Sequence, residues 1–238
     1  MHLSNLFILV SLWLSRESQA DSAIADASSG ITSLFSSQTW SPDTVLSFPS
    51  SAEFEDATAR WNIRRAPSYA AALSVGAEED VITAVKAATI HNISFLATGG
   101  RHGFGVTLRR LEDGLALDLS SLDAVTVDSS AGTVTVGPGV RLSGVFEPVY
   151  NAGYQLQTGI CTCGVRLVTA TGDLLEVSES SNPDLFWAVR GAAHNFGIIT
   201  EATYQLRPWD SSKEAMLNPG SEGNLTEPPQ WHAAGANE

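Results

Sequence analysis

The stretch from Tyr69 to Gly103 constrains this chain more than any other. Tyr69 to Val75 is a short apolar run, and Glu78-Glu79-Asp80 stands just ahead of Val81, Ile82, Ala84, Val85 and Ala88. The acids suit the positive end of a helix dipole, and the apolar residues recur at helical spacing, which predicts a helix of about three turns. Ile93 to Thr98 follows as a β-rich run and stops at Gly99-Gly100. Strand, helix and strand within about 30 residues make a βαβ unit.

Beyond this unit the rhythm changes to short strands and turns. Leu115 to Leu119, Ala124 to Asp128 and Thr133 to Val136 are strand candidates, the last two joined by a hairpin turn at Ser129-Ser130-Ala131-Gly132. Arg141 to Asn151 has a helical pattern that ends at Gly153, in the manner of a C-cap. A second hairpin fits Val165 to Ala170 and Leu174 to Val177 around Thr171-Gly172-Asp173. Asn182-Pro183-Asp184 opens a short helix through Trp187 to Arg190, with Pro at its favoured first position, and Phe196 to Leu206 closes as a long strand. The mixture predicts an α+β fold without internal repeats.

Length and charge narrow the classes of function. The 238 residues suit one domain with tails, and 43% hydrophobic against 16% charged residues is the composition of a folded globular protein. With 13 Lys and Arg against 26 Asp and Glu the net charge is −13, which repels phosphate backbones and anionic lipid heads and argues against nucleic acid as a partner. Leu3 to Leu14 is apolar but too short to span a bilayer of roughly 30 Å, and it leads to Ser18-Gln19-Ala20, a small-x-small cleavage pattern. Residues 1–20 are therefore expected to be a cleaved secretory signal, a buried N-terminal segment being the alternative because His2 is the n-region's sole basic group. No other run is long enough to span. Sequons at Asn92 and Asn224 suit an exported glycoprotein.

Residues 21–60 are rich in Ser, carry Pro42 and Pro49 and show no sustained period, so they are expected to form an extended arm with little chemistry. From residue 209 the composition shifts to Gly, Pro, Asn and Glu, as expected of a disordered tail. The chain has two cysteines, Cys161 and Cys163, whose spacing would close a small strained ring, so no disulfide framework is expected. With a histidine they match no recognised metal-ligand spacing.

Thr98-Gly99-Gly100-Arg101-His102-Gly103 is the most informative local feature. It follows a strand directly, its glycines let backbone amides converge on an anion, and Arg101 adds positive charge in an acidic chain. A phosphate-bearing cofactor would fit; a tight turn with a surface arginine is the other reading. Neither the P-loop pattern nor G-x-G-x-x-G is met, since Gly137-Pro138-Gly139 lacks the third glycine.

Five stretches together resemble a family: 95–103, Leu115 to Ser120, Val134 to Val140 with Gly137-Pro138-Gly139, Gln157 to Cys161, and Asn182 to Trp187 followed by Asn195 to Ile199. In this order they resemble the FAD-binding domain of flavin-linked oxidases of the p-cresol methylhydroxylase and vanillyl-alcohol oxidase type, near the berberine bridge enzyme branch and its fungal members. The resemblance runs from about Ala66 to Pro208. It implies that Thr98, Gly99, Gly100, Arg101, His102 and Gly103 hold FAD through its pyrophosphate, and that His102 can be bonded covalently to the flavin ring. Cys161 matches the second attachment point of doubly linked members, with a buried free thiol as the alternative. Gly197 and Ile198 fall on the closing strand whose backbone lines the cofactor, a purely structural strand being the alternative. His194 stands where members usually carry glycine, and Cys163 has no implied role.

The resemblance also implies a reaction: a small organic substrate gives hydride to the flavin, O₂ reoxidises it, and fungal members commonly act in secondary-metabolite pathways. No residue can be named as the base. The departures are as specific as the matches. Members continue after a Cys-containing stretch through a glycine-rich segment that wraps the flavin; here Gly164 runs straight into Val165. Their substrate domain should follow Pro208, where only about 30 polar residues remain. The expected plan is thus a signal at 1–20, an arm at 21–60, an FAD-binding domain at 61–208 with a deletion near 164/165, and a tail at 209–238. A catalytically inactive secreted remnant is the alternative to an active oxidase.

Overall fold

The computed structural model describes residues 30–103, 105, 107–156 and 162–209. Two sheets carry the architecture, and β7 (Tyr154–Gln155) pairs with β11 (Arg207–Pro208) as a separate two-stranded ladder. The first orders its strands β1 (Val45–Ser47), β2 (Tyr69–Ser74), β4 (Gly114–Asp118) and β3 (Phe95–Thr98). β2 and β3 both run parallel to β4, while β1 pairs antiparallel at the edge. The expected βαβ unit is present, with α3 (Glu78–Ile90) as its crossover, but β4 lies between its two strands. Ala70 to Leu73 and Leu115 to Leu117 are almost wholly buried, as suits continuous apolar runs in a parallel sheet covered on both faces.

α3 forms because Val81, Ala84, Val85 and Ala88 share one face, which packs on Leu73, Leu115 and Leu117. Its first turn is held by Asp80, whose carboxylate reaches back to the Ala77 amide. At the other end Asn92 takes the left-handed conformation, φ 53°, and the Ile93 amide bonds the Ala88 carbonyl at 2.8 Å.

The second sheet is antiparallel, in the order β5 (Val125–Asp128), β6 (Thr133–Val136), β10 (Ile198–Gln205), β8 (Gly164–Val168) and β9 (Leu174–Ser178). Both expected hairpins are present, as β5 with β6 and β8 with β9. α4 (Leu142–Asn151) buries Val145 and Val149 against Val134 and Leu206, and α5 (Pro183–Ala192) buries Phe186 and Val189 against Val165, Leu167 and Val177. Val168 belongs to the first sheet's core and joins the two halves.

The serine-rich arm is the main correction. Residues 30–36 are a helix, α1, that buries Ile31 and Phe35 in the first core, with Trp40 stacked on Phe35 at 6.0 Å. β1 extends the sheet, and α2 (Ala52–Thr58) buries Ala57 against Ala72 and Ala116. Ser41 and Thr44 donate hydrogen bonds to Asp80, at 2.5 and 2.6 Å. A seven-residue helix and a three-residue strand are too short to show a period, which is why this segment reads as irregular. At the other end Trp209, assigned to the tail, packs edge-on against Tyr150. Residues 1–29 and 210–238, with the signal, most of the tail and Asn224, lie outside the described residues. Among the described residues no helix is long and apolar enough to cross a membrane.

Phe35→Ala is expected to lower stability by about 3–5 kcal/mol in urea unfolding, because it empties a fully buried site. Burial pushes the Asp80 carboxyl up, but hydrogen bonds from Ser41, Thr44 and the Ala77 amide outweigh it and leave the pKa below the ordinary value. A lowered folded pKa gives stability that is present above about pH 4 and is lost as pH falls through the folded value. Asp80→Asn should flatten that acid limb in unfolding midpoints measured from pH 6 to pH 2.

Candidate functional site

The glycine loop leaves the end of β3, where the chain must turn without a neighbour on its open side. Three loops meet there backbone to backbone. A Cβ at Gly99 would overlap the Pro138 carbonyl, one at Gly137 the Leu122 carbonyl, and one at Gly139 the Ser120 carbonyl. Gly137-Pro138-Gly139, which fails the nucleotide fingerprint, is therefore a packing element that lets its loop lie against the 98–103 turn. That role carries no local signal apart from the paired glycines.

Arg101 adopts φ 55° and turns its side chain behind the loop. Its Nη2 pairs with the buried carboxylate of Asp118 at 2.7 Å and bonds the Ser120 hydroxyl at 3.2 Å, while Nη1 donates to the Asp56 carbonyl. The sequence assigns this arginine as fixed charge for an anion; in the structure its charge is matched by Asp118. The physical reason is that a buried carboxylate left unpaired is costly. Asp118 itself also accepts from Ser74, the Ser120 amide and the Ser120 hydroxyl. Nothing in the sequence marks Asp118 apart from its place at the end of an apolar strand.

The donors the turn could offer an anion are therefore mainly on its backbone. Gly100, His102 and Gly103 are exposed, and among the described residues no hydrogen bond engages the amides of 99–103. The Nε of Arg101 is buried with no acceptor among the described residues. Donors without acceptors on a glycine-rich turn suit a phosphate group, so these residues fit a phosphate-bearing cofactor. His102 lies back over Gly100, where a Cβ would come within 2.9 Å of its ring. At the outer end, Arg60 donates from Nη2 to the Gly103 carbonyl at 2.7 Å. This bond ties the 60–65 stretch, which carries three arginines, to the glycine turn.

Gly197 and Ile198 stand apart from the loop. They line an apolar cleft of about 530 Å³ with Phe95, Ala97, Val168 and His194. This cleft runs along β3, whereas residues 98–103 follow its end and do not line it. Gly197 is pressed against the Val168 carbonyl and has no room for a side chain. His194, the departure from the family pattern, is exposed at the cleft wall. Cys161 lies outside the described residues, while Cys163 is exposed and its thiol donates to the Thr203 carbonyl at 3.3 Å. On α5, Trp187 is 82% exposed, while its neighbour Phe186 is buried. No group of three metal-ligating side chains occurs among the described residues.

Residues 69–165 match the FAD binding domain family. An FAD-linked oxidoreductase of Neurospora crassa, srdI, is 45% identical over 190 residues, covering 68% of this chain and 38% of that protein. One from Pyricularia oryzae is 43% identical over 208 residues, covering 75% of this chain and 41% of its own length. The chain thus spans about two fifths of the curated relatives it matches. Among solved structures, a xylooligosaccharide oxidase of Myceliophthora thermophila has the same fold at TM-score 0.63 and 24% identity, over 78% of this chain and 43% of that one. The Neurospora alignment takes up 68% of 238 residues, about 162, against an aligned length of 190, so about 28 positions of the relative have no counterpart here.

Asp118→Ala should strip Arg101 of its partner and lower stability by about 2–4 kcal/mol in urea unfolding, whereas Ser120→Ala should cost about 1 kcal/mol.

Proposed function

The chain belongs, through its FAD binding domain, to the flavin-linked oxidases of the p-cresol methylhydroxylase and vanillyl-alcohol oxidase type, and from that membership we propose the activity of the complete protein. It is an oxidoreductase that takes hydride from a small organic substrate onto FAD and returns the electrons to O₂. The observation that carries this reading is the exposed turn after β3, whose amides have no partner among the described residues and lie within the stretch matched to the FAD binding domain.

Each residue has a role in that reading. The amides of Gly99, Gly100, Arg101, His102 and Gly103 hold the pyrophosphate, with Thr98 fixing the start of the turn through its bond to the Leu119 amide. His102, exposed on the turn, carries the covalent link, and Cys161 the second one. Gly197 and Ile198 offer backbone to the cofactor along the apolar cleft. When bound, FAD supplies a two-electron acceptor that the protein orients. A place in fungal secondary metabolism is supported by the several fungal oxidoreductases among the relatives. Secretion rests on residues 1–20, and glycosylation at Asn92 on its exposed position just after α3.

A second reading is favoured by one observation. About 28 aligned positions of the Neurospora relative are missing here, and the family match ends at residue 165, beside the Gly164–Val165 junction. If the missing positions are those that cover the flavin, the chain is a non-catalytic remnant.

An absorbance spectrum before and after acid precipitation separates the two. The oxidase reading expects flavin bands that stay with the pellet, and that pass to the supernatant when His102→Ala and Cys161→Ala are combined. Protein that is colourless as purified, and remains so after incubation with FAD, sinks it.

A further inference from the structure

We infer that Arg60 is the positioning residue of the cofactor turn: by clamping the Gly103 carbonyl it holds the amides of 99–103 in an anion-binding shape. The ligand in this inference rests on the FAD reading above; the clamp rests on geometry alone.

Arg60 opens a strap, residues 60–68, that runs from α2 to β2 alongside the glycine turn and the segment after it. The far end of the strap is pinned by backbone. The Ser68 amide bonds the Leu111 carbonyl at 3.0 Å, the Gly114 amide bonds the Ser68 carbonyl at 3.3 Å, and the Asp113 amide bonds the Ser68 hydroxyl at 2.9 Å. The near end is pinned by Arg60 to Gly103. The guanidinium is itself steadied from below, because it stands beside the phenol of Tyr69, the first residue of β2. Burial pushes that phenol's pKa up and the Arg60 charge holds part of the rise back.

The turn needs such a clamp. Three of its residues are glycine, which lose the most conformational freedom on ordering. Its inner part is fixed by Arg101 on Asp118, Ser120 and the Asp56 carbonyl. Among the described residues, the Gly103 carbonyl has Arg60 as its partner at the outer end. A charged donor on a carbonyl is stronger than a neutral pair, and the planar fork loses little entropy in making the bond. Arg60 acts from outside the turn and the Arg101 side chain is spent on Asp118, so among the described residues the turn's amides keep no other partner.

Two readouts on the purified chain test this. In the first, free FAD is titrated and its affinity measured by equilibrium dialysis; Arg60→Ala should weaken it roughly tenfold while the melting temperature moves little. Arg60→Lys keeps the charge but not the fork, should recover part of the affinity, and serves as the test variant if Arg60→Ala does not fold. In the second, trypsin cutting of the Arg101–His102 bond is timed by mass spectrometry, and it should quicken severalfold in the variant as the turn loosens. Unchanged cutting, or unchanged FAD affinity in a chain whose wild type binds FAD, overturns the clamp. A wild type that binds no FAD, with cutting still quickened by the substitution, overturns the cofactor reading and leaves the clamp standing.

Discussion

The pairing of Arg101 with Asp118 is the contact on which the site depends. Asp118 ends β4 at the centre of the parallel sheet and is buried, so its charge cannot be left to solvent. The carboxylate collects Ser74 from the end of β2, Ser120 from its own strand's continuation and Arg101 from beyond β3. Three strand ends are thereby tied to one group. To reach it, Arg101 adopts a left-handed backbone within the glycine turn. The turn's shape follows from charge balance inside the fold.

A second polar contact joins the halves. Glu78, at the start of α3, accepts from Arg166 on β8 and from Thr200 on β10. Further along the same helix the join is apolar, through Val168. The cleft that Gly197 and Ile198 line lies at this apolar end, between Val85 and Phe95 on one side and Val168 on the other. Arg166 is one third exposed, so its longer contacts to Glu176 and Glu201, at 4.0 and 3.8 Å, add little. The Glu78 contacts tie the start of α3 to two strands of the second sheet.

Much of this was legible from periodicity and turn residues, because α3, both hairpins and the Pro183 helix announce themselves locally. The order of strands was not. Nothing in 69–98 says that a later strand will lie between its two ends, since that depends on pairing across some twenty residues to β3 and some forty-five to β2. The arm at 30–59 was missed for a different reason: its elements are too short to repeat, and its burial comes from single residues such as Phe35. At the site, the glycines and His102 stood out by type. Arg60 and Asp118 did not, because their roles come from neighbours 43 and 17 residues away in sequence.

The strand order has a consequence for how the chain is made. During synthesis the segment 95–98 emerges with α3 already behind it, yet its hydrogen-bonding neighbour does not exist until 114–118 have left the ribosome. The same late strand supplies β2 with its parallel partner. β4 is therefore the keystone of the first sheet in time as well as in space. Until it arrives, both apolar runs present unpaired edges, and a pause before Asp118 would expose two strands rather than one.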